Sequence, residues 1–291
     1  MNNHWISDEL HDFYRISLRY QTVLHEEQTE FQHIRLLETP FFGKVLLLDG
    51  VIQLTEMDNA AYHELITHVP LLAHRRPRRV LIVGGGDGGS LQQVLRYSAV
   101  EEVVVCELDR RVVEICAEFF PAFGRPFQDS RVRLIVEDAF TYLERVEAPF
   151  DLIIADTTDP IGQAEKLFSL PFYELMHRAL APEGIIVTQC EQMYFDAALI
   201  KQMMAIADRL ARCPAYYHTL VPTYPGGGIG FLYISDTPWQ NGLGQPYPGP
   251  MTYLNPQIHQ AAFALPEFLR RQLEEAADTM QPMQEIYHGP A

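Results

Sequence analysis

The chain has 291 residues, of which 47% are hydrophobic, and its 22 basic residues against 38 acidic ones give a net charge of −16. This length and composition allow a full-sized core, and the lack of a basic stripe argues against a nucleic-acid partner. The polar N-terminus and the absence of any apolar run of about 18 residues predict a cytoplasmic protein without a membrane partner.

The first predicted unit is a small β domain. Residues 20–56 alternate polar and apolar positions, with turn signals at Thr39–Pro40, Gly43–Lys44 and Asp49–Gly50. This alternation is typical of antiparallel strands with one buried face. We therefore predict a small antiparallel β domain over residues 1–60 and a larger second domain over residues 61–291.

The larger unit begins with a helical pattern and continues with strands that alternate with helices. Leu65, Val69 and Leu72 predict one apolar helix face beside Tyr62. The predicted strands are 79–83, 102–107, 132–136, 150–156, 184–190 and 230–235, and the predicted helices are 90–98, 110–118, 139–145, 170–179 and 195–210. This order indicates an α/β fold with a doubly wound, mostly parallel, Rossmann-like sheet. The Pro- and Gly-rich segment 238–256 is interpreted as an ordered crossing loop or a linker to a helical end at 266–280.

Acidic residues follow the predicted strands at the ends where a ligand would bind. They are Asp87, Glu107, Asp109, Asp138, Asp156 and Asp159. Ligands of open α/β sheets bind beyond the carboxyl ends of the strands, near the point where the strand order reverses. The regular recurrence of acids at these ends predicts a ligand site there.

The glycine turn at 84–89, GGGDGG, has the form of a dinucleotide-binding loop. Its Asp87 would face a pyrophosphate at close range, at a cost of about 1 kcal/mol or more. Glu107 follows at about the 20-residue spacing of a carboxylate that accepts from ribose hydroxyls, and Asp138 is placed to accept from an adenine amino group. These residues predict a nucleoside without phosphate that carries a positive charge, such as an S-adenosyl sulfonium compound.

The segment at 155–169, ADTTDPIGQAEKLFS, supplies two carboxylates three positions apart, Asp156 and Asp159. The Pro160 and Gly162 that follow suit an irregular loop able to close over a ligand. Opposite a sulfonium pocket, two acids can hold a cationic amine nucleophile.

Motifs from about residue 20 to residue 270 occur in the order found in one known family. They are LLLDGVIQLTEMD, YHELITHVPLLAH, VLIVGGGDGG, ELD, EDA, DTTDPIG, PTYPGG and YLNPQIHQAAFALPEFL. Together they resemble the polyamine aminopropyltransferases, the family of spermidine synthase. The resemblance implies transfer of an aminopropyl group from decarboxylated S-adenosylmethionine to a diamine, with putrescine as the acceptor, to give spermidine and methylthioadenosine. It also implies a co-substrate in place of a tightly bound cofactor, and a homodimer or homotetramer.

The resemblance implies roles for individual residues. Those that would hold the nucleoside are Gln53, Gly84, Gly86, Gly88, Glu107 and Asp138. Asp87 and Asp156 would bind the aminopropyl ammonium, and Asp156, helped by Tyr62, would orient or deprotonate the attacking amine. Those that would bind the acceptor are His63, Asp159, Glu191 and Tyr224. Because an alkylamine with a pKa near 10 is protonated at neutral pH, this role requires an Asp156 pKa raised by burial.

The sequence departs from the family pattern close to the expected acceptor site. Asn59 and Ala60 replace a Glu-Phe pair, Gln163 replaces a proline, and Lys166 adds a positive charge to the covering loop. These departures favour a larger or differently charged acceptor amine.

Other functions fit parts of the same pattern. A methyltransferase or an aminocarboxypropyltransferase would use ordinary S-adenosylmethionine, whose carboxylate would lie beside Asp87 and Asp156 and need a cation such as Lys166. A non-catalytic paralogue would bind a polyamine or nucleoside, although a binding protein needs no proton acceptor such as Asp156. No metal is predicted, since the cysteines lack ligand spacing and read as reduced core thiols; they are Cys106, Cys116, Cys190 and Cys213.

Overall fold

The computed structural model describes residues 4–160 and 162–274, with the exception of the side chain of Gln163. The N-terminal strands are β1 (His4–Ser7), β2 (Ser17–Tyr20), β3 (Thr22–Gln28), β4 (His33–Thr39), β5 (Gly43–Leu48) and β6 (Val51–Thr55). β1 and β2 form a hairpin that the sequence pattern does not predict, while β3 to β6 form the predicted antiparallel sheet in chain order. Asp49 and Gly50, with φ of 48° and 82°, make the two-residue turn between β5 and β6. The domain boundary at residue 60 stays a prediction.

Helix α1 (Asn59–Ala73) is buried on every side, and not only along the predicted face of Leu65, Val69 and Leu72. One side packs against the large sheet, and the other is covered by the Pro- and Gly-rich segment. The carboxylate of Glu64 accepts hydrogen bonds from the backbone amides of residues 252, 253 and 254, at 2.7 to 2.9 Å. This segment is therefore an ordered crossing loop fixed to α1.

The remaining elements form a seven-stranded sheet and its flanking helices. The strands are β7 (Arg79–Gly84), β8 (Glu102–Glu107), β9 (Val132–Val136), β10 (Phe150–Asp156), β11 (Leu180–Gln189), β12 (Ala215–Leu220) and β13 (Gly228–Ile234). The helices are α2 (Gly89–Val94), α3 (Arg110–Phe119), α4 (Pro121–Gly124), α5 (Ala139–Glu144), α6 (Leu170–Arg178), α7 (Ala197–Leu210), α8 (Pro256–Ala261) and α9 (Glu267–Glu274). The predicted helical end at 266–280 is described only as far as residue 274; the rest lies outside the described residues.

The strand order β12-β13-β11-β10-β7-β8-β9 confirms the predicted doubly wound, mostly parallel sheet. β9, β8, β7, β10 and β11 are parallel, whereas β13 runs antiparallel to both β11 and β12. The sequence analysis did not predict β12. Among the described residues no α-helix lies between β12 and β13, so the alternation of strands and helices gives no sign of a separate strand there. The order reverses between β7 and β10, where Gly84 pairs with Asp156, and this is the expected ligand-binding point.

The N-terminal sheet packs against the large unit through an apolar cluster that joins Leu36 and Leu46 to Ile115 and Phe120 of the α3–α4 region. This contact brings the N-terminal strands next to the carboxyl ends of the large sheet. Within the described ranges, no helix is long and apolar enough to cross a bilayer. All four cysteines are free thiols, as predicted, but only Cys106, Cys116 and Cys190 are buried; the prediction of a core position is wrong for Cys213, which is partly exposed.

Candidate active site

A cavity of about 590 Å³ lies at the carboxyl ends of β7, β8, β10 and β11. The N-terminal part of the chain closes its other side with residues 9–11, Gln32 and Gln53. The predicted site residues that line it are Gln53, Tyr62, His63, Gly84, Gly86, Asp87, Glu107, Asp138, Asp156, Asp159, Glu191 and Tyr224. The sequence analysis thus places twelve of its thirteen candidates in one cavity.

Gly88, the thirteenth candidate, turns the loop into α2 and does not line the cavity. Its φ of +85° suits glycine, and a Cβ there would lie 2.3 Å from the carbonyl oxygen of Phe123. Close backbone packing, and not contact with a ligand, therefore accounts for this glycine.

Asp87, the acid in the glycine loop, is paired with His63. Nε2 of His63 lies 3.2 Å from Oδ2 of Asp87, and the backbone amide of Gly89 donates to Oδ1 at 2.6 Å. Desolvation opposes charge on both groups, but their mutual attraction outweighs it, so the pKa of His63 is raised and the pKa of Asp87 is lowered. The cavity thus favours a carboxylate in the loop, stabilised by its contact with His63.

Asp156, at the end of β10, accepts two hydroxyl hydrogen bonds. The hydroxyl of Tyr62 donates to Oδ1 at 2.7 Å, and that of Ser90 donates to Oδ2 at 2.6 Å. Desolvation raises the pKa of Asp156, and the negative charge of Asp87 raises it further, against the lowering effect of His63 and the two hydroxyls. The orientation and raised pKa are the properties that the proton-accepting role requires. Ser90 is a site contact that the sequence analysis missed.

The end of the cavity that is predicted to hold the nucleoside, called here the nucleoside end, is built around Glu107. Its Oε2 accepts from the backbone amide of Gly86 at 3.1 Å, and its Oε1 accepts from that of Asp109 at 2.9 Å. Desolvation raises the pKa of Glu107 to about 7 despite these amides. Gln32, from the N-terminal sheet, also lines this end and donates to Oδ2 of Asp109 at 3.1 Å. The sequence analysis missed Gln32, because it precedes β4 and belongs to none of the quoted motifs.

Asp138 and Lys166 form an ion pair beside this end. Oδ1 of Asp138 accepts from the first amides of α5, so one oxygen caps a helix. The other oxygen accepts from Nζ of Lys166, in the 3-10 segment Gly162–Phe168. Desolvation acts against the charge of Asp138, but Lys166 and the amides lower its pKa. Lys166 therefore has its partner at the nucleoside end, and not beside Asp87 and Asp156.

The opposite end of the cavity holds Asp159, Gln53 and Tyr224. The hydroxyl of Tyr224 donates to the carbonyl oxygen of Gln53 at 2.6 Å, and Nε2 of Gln53 lies 3.4 Å from Oδ2 of Asp159. Gln53, predicted with the nucleoside group, thus lies with the acceptor group. Desolvation raises the pKa of Asp159 to about 6.

Glu191 lies two residues beyond β11 and is 1% exposed, with a strained backbone φ of +44°. Gln189 donates to its Oε1 at 3.3 Å. Burial raises the pKa of Glu191 well above its usual range, and the nearby charges of Asp159 and Asp196 add to this effect. A buried acid held in an unfavourable backbone conformation at a cavity wall is typical of a binding residue.

The His63, Asp87 and Asp156 side chains also meet the basic geometry of a metal-binding group, with candidate ligand atoms within 4.8 Å of one another. However, His63 and Asp87 already contact each other, and Asp156 accepts from two hydroxyls. Two carboxylates with these partners suit an ammonium, which has several donors and needs no fixed coordination geometry.

Comparison with known proteins identifies the family. A family model described as the spermine/spermidine synthase domain matches residues 59–241, and one described as the spermidine synthase tetramerisation domain matches residues 4–56. The chain is 40% identical to spermidine synthase of Dictyostelium discoideum, with 94% of this chain and 98% of that protein covered. The chain belongs to the spermidine synthase family. It is accordingly a polyamine aminopropyltransferase, as the motifs predicted.

Other members of the spermidine synthase family support the assignment. Spermidine synthase 1 of Hyoscyamus niger is 40% identical over 89% of this chain and 86% of its own length. A spermidine synthase solved in complex with the transition-state analogue AdoDATO has a TM-score of 0.89 and 29% identity, with 94% and 95% of the two chains covered. The similarity therefore covers the N-terminal sheet as well as the large one.

The departures from the spermidine synthase pattern at Asn59 and Ala60 lie away from the cavity. The side-chain amide of Asn59 donates to the carbonyl oxygens of Thr55 and Glu56, each at 2.9 Å, and neither Asn59 nor Ala60 lines the cavity. The expectation that a larger amine fits where these two residues stand is wrong, because Asn59 builds the turn that starts α1 and neither residue lines the cavity. Gln163 is the remaining departure, and its side chain lies outside the described part of the chain.

Proposed function

We propose that this protein transfers the aminopropyl group of decarboxylated S-adenosylmethionine to putrescine, giving spermidine and methylthioadenosine. The observation that carries the proposal is the arrangement of Asp87 and Asp156 at the strand-order reversal, with Tyr62 on Asp156. The solved relative that binds AdoDATO supports a donor of this kind, since it is 29% identical and similar over 94% of this chain.

The cavity gives each part of the donor a partner. Glu107 accepts from the ribose hydroxyls, and Asp138 accepts from the adenine amino group. Asp87 and Asp156 bind the aminopropyl ammonium, whose charge is the reason for an acid in the glycine loop. Donor binding places an ammonium next to His63. The ammonium and the His63 imidazole then compete for Asp87, so the pKa of His63 falls when the donor is bound.

The chemical step is a displacement at carbon. The acceptor ammonium gives a proton to Asp156, and the freed nitrogen attacks the aminopropyl carbon attached to sulfur. The N–C bond forms as the C–S bond breaks, and the electron pair stays on sulfur, which becomes the neutral thioether of methylthioadenosine. The enclosed position of Asp156 supplies the raised pKa that a proton acceptor needs. Asp159, Tyr224 and Glu191 hold the distal ammonium of putrescine, so that the reacting nitrogen is aligned with the carbon.

Ordinary S-adenosylmethionine fits this cavity less well. Its carboxylate would lie beside Asp87 and Asp156, and the two side chains that could compensate it are already engaged: His63 contacts Asp87, and Lys166 is paired with Asp138. Two carboxylates facing a third cost several kcal/mol at low effective dielectric. This supports an aminopropyl transfer over a methyl or aminocarboxypropyl transfer.

The test pairs each donor, decarboxylated or ordinary S-adenosylmethionine, with putrescine and identifies the products by mass spectrometry. The expected products are methylthioadenosine and spermidine, from the decarboxylated donor alone. In the variant Asp156→Asn we expect methylthioadenosine to bind within about threefold of wild type, while transfer falls by about 100-fold or more because the proton acceptor is lost.

A matched control is Asp151→Asn, in the same strand but at its other end, where the carboxylate accepts from the amides of Arg78 and Arg79. This control should keep its transfer rate. S-adenosylhomocysteine as the product, or full activity in Asp156→Asn, would contradict the proposal.

We also propose a homodimer or homotetramer. The match of residues 4–56 to a tetramerisation domain supports it, as do the apolar side chains that this region exposes, Trp5 at 61% and Phe41 at 67%. Light scattering behind size-exclusion chromatography measures the mass directly, and a monomer of 33.3 kDa would contradict the proposal.

A further inference from the structure

Beyond Glu191, the cavity ends at a pair of side chains that the mechanism above does not use. His11 and Asp196 both line the cavity, and both are 7% exposed. Nε2 of His11 lies 4.0 Å from Oδ2 of Asp196, too far for a hydrogen bond. Neither atom has a hydrogen-bond partner among the described residues, although each is buried. Such unpaired buried polar atoms cost about 1–3 kcal/mol each, so their presence needs a reason.

The surrounding structure holds these two side chains in place. Asp8 accepts from the backbone amides of Leu10 and Ile52 at 3.0 and 2.8 Å, and this fixes the N-terminal segment against β6. The ring of His11 packs against the rings of Phe13 and Phe195, with distances of 5.1 and 5.3 Å between ring centroids. The pair is therefore built by anchored backbone and aromatic packing.

The position of Asp196 is also informative. It stands at the residue before α7, where an aspartate commonly accepts from the first helical amides, but its side chain makes no such bond. The carboxylate gives up this stabilisation of the helix, and its Oδ2 is directed towards His11 at the cavity wall.

The charges around the pair favour a positively charged guest. Burial lowers the pKa of His11, which leaves a neutral imidazole with a lone pair at one ring nitrogen. Burial and the charge of Asp159 raise the pKa of Asp196 to about 7, against the backbone amide of Gln192. Glu191 and Asp159 add two more acids, and no lysine or arginine lines this end of the cavity among the described residues. Among the described residues, this wall therefore offers several acceptors and no lysine or arginine side chain.

We propose that His11, Asp196 and Glu191 form a second ammonium position in the acceptor site, beyond the one at Asp159. An ammonium donates up to three hydrogen bonds, which matches one imidazole nitrogen and two carboxylates. It also satisfies both unpaired atoms at once. This inference rests on the proposed function, because it extends the same acceptor site.

The substrate class follows from the extra position. Putrescine has one ammonium besides its reacting nitrogen, and Asp159 and Tyr224 hold it together with Glu191, the acid that the two positions share. An ammonium at Asp196 belongs to an acceptor amine whose charge lies farther from the reacting nitrogen, either a longer diamine or a triamine. The protein therefore accepts such longer amines in addition to putrescine.

The experiment measures kcat/KM for putrescine, the five-carbon diamine cadaverine and the triamine spermidine in wild type, Asp196→Asn and His11→Ala. We expect wild type to use at least one longer amine. We expect either variant to lower kcat/KM for that amine by about tenfold or more, because a hydrogen bond to a charged group is lost. For putrescine, we expect either variant to lower kcat/KM by less than about threefold. If the wild-type protein uses cadaverine but not spermidine, the second position serves a longer diamine. If it uses spermidine, the second position serves a triamine.

Asp208→Asn, on the exposed face of α7, is the matched control and should change none of these values. Transfer to putrescine with none to either longer amine, or an equal loss for all three acceptors, would overturn the inference but leave the proposed function intact.

A binding measurement separates the remaining case. Calorimetry with spermidine and cadaverine, on protein saturated with methylthioadenosine, reports the ammonium position without turnover. If no acceptor, putrescine included, is aminopropylated, the proposed function fails. Binding of a longer amine that is weakened about tenfold in Asp196→Asn would still support the inference in that case. Binding that neither variant weakens overturns the inference.

Discussion

The hydroxyl of Tyr62 provides the sharpest test of the mechanism, because removing one atom changes the environment of the proton acceptor. In Tyr62→Phe, Oδ1 of Asp156 loses the hydrogen bond of 2.7 Å, while Ser90 keeps its bond to Oδ2. A hydrogen bond to a charged group contributes about 1.5–3 kcal/mol, and 1.36 kcal/mol corresponds to one pH unit. The bond stabilises the carboxylate, so its loss favours protonation of Asp156.

The expected result is a displaced pH profile. The acidic limb of log kcat/KM, which reports deprotonation of Asp156 in the free enzyme, moves up by about one to two pH units. The loss of activity is therefore about 10- to 100-fold on the acidic side and shrinks as the pH rises. Initial rates of methylthioadenosine release from pH 5.5 to 9.5 measure both quantities.

The matched control is Tyr217→Phe, which removes the hydroxyl of another buried tyrosine. That hydroxyl donates to the carbonyl oxygen of Leu65 at 3.2 Å and contacts no acid of the cavity. The control should lose about 1 kcal/mol of stability and keep the wild-type pH profile. A loss in Tyr62→Phe that is the same at every pH would refute the reasoning, since it would mean that Tyr62 acts only by packing.

Three further predictions concern residues at the edges of the site. Glu64→Gln leaves one carbonyl oxygen where three amides donate, and we expect the free energy of unfolding to fall by about 3 kcal/mol, measured by urea denaturation; an unchanged midpoint would contradict this. Desolvation raises the pKa of Glu107 to about 7, and we propose that ribose hydroxyls donate to its carboxylate. Methylthioadenosine should therefore bind about tenfold more weakly for each pH unit below 7, and at constant strength above 8. Calorimetry checks this, and Glu107→Gln should remove the dependence. Lys166→Ala should leave the preference for the decarboxylated donor within about threefold, because Lys166 pairs with Asp138 and does not face Asp87 and Asp156; a large loss of turnover with ordinary S-adenosylmethionine in this variant would show that Lys166 compensates the carboxylate of that donor, and would reverse our assignment.

Much of the large sheet could be predicted from the sequence because its central parallel strands are buried on both faces. Apolar runs such as those of β8 and β10 have no other stable location, and their predicted bounds agree with the structure. The antiparallel additions were harder. β12 mixes tyrosine, histidine and threonine, and the hairpin of β1 and β2 has exposed positions, so neither shows a strong pattern.

The candidate site divides in the same way. The positions of acids at strand ends, such as Asp87 and Asp156, could be predicted from topology alone, because the carboxyl ends of parallel strands lie at the same edge of the sheet. Gln32, His11 and Asp196 reach the cavity from a turn, a loop and a helix start, where only tertiary packing decides direction. The pairing of His63 with Asp87 was also beyond the sequence, since spacing along the chain says nothing about contacts between α1 and a loop 24 residues away.

The complete burial of α1 restricts how this enzyme can change during evolution. From Ala61 to Ala73 no position faces the solvent, so each substitution alters either the packing on the sheet, the anchor of the crossing loop or the two side chains presented to the acids. Substitutions without effect on stability or function are found mostly at exposed positions, and residues 61–73 of this helix offer none. New acceptor preferences should therefore arise in the segments that close the cavity, residues 9–11, 156–159 and 189–196, while α1 stays nearly constant among proteins with different substrates.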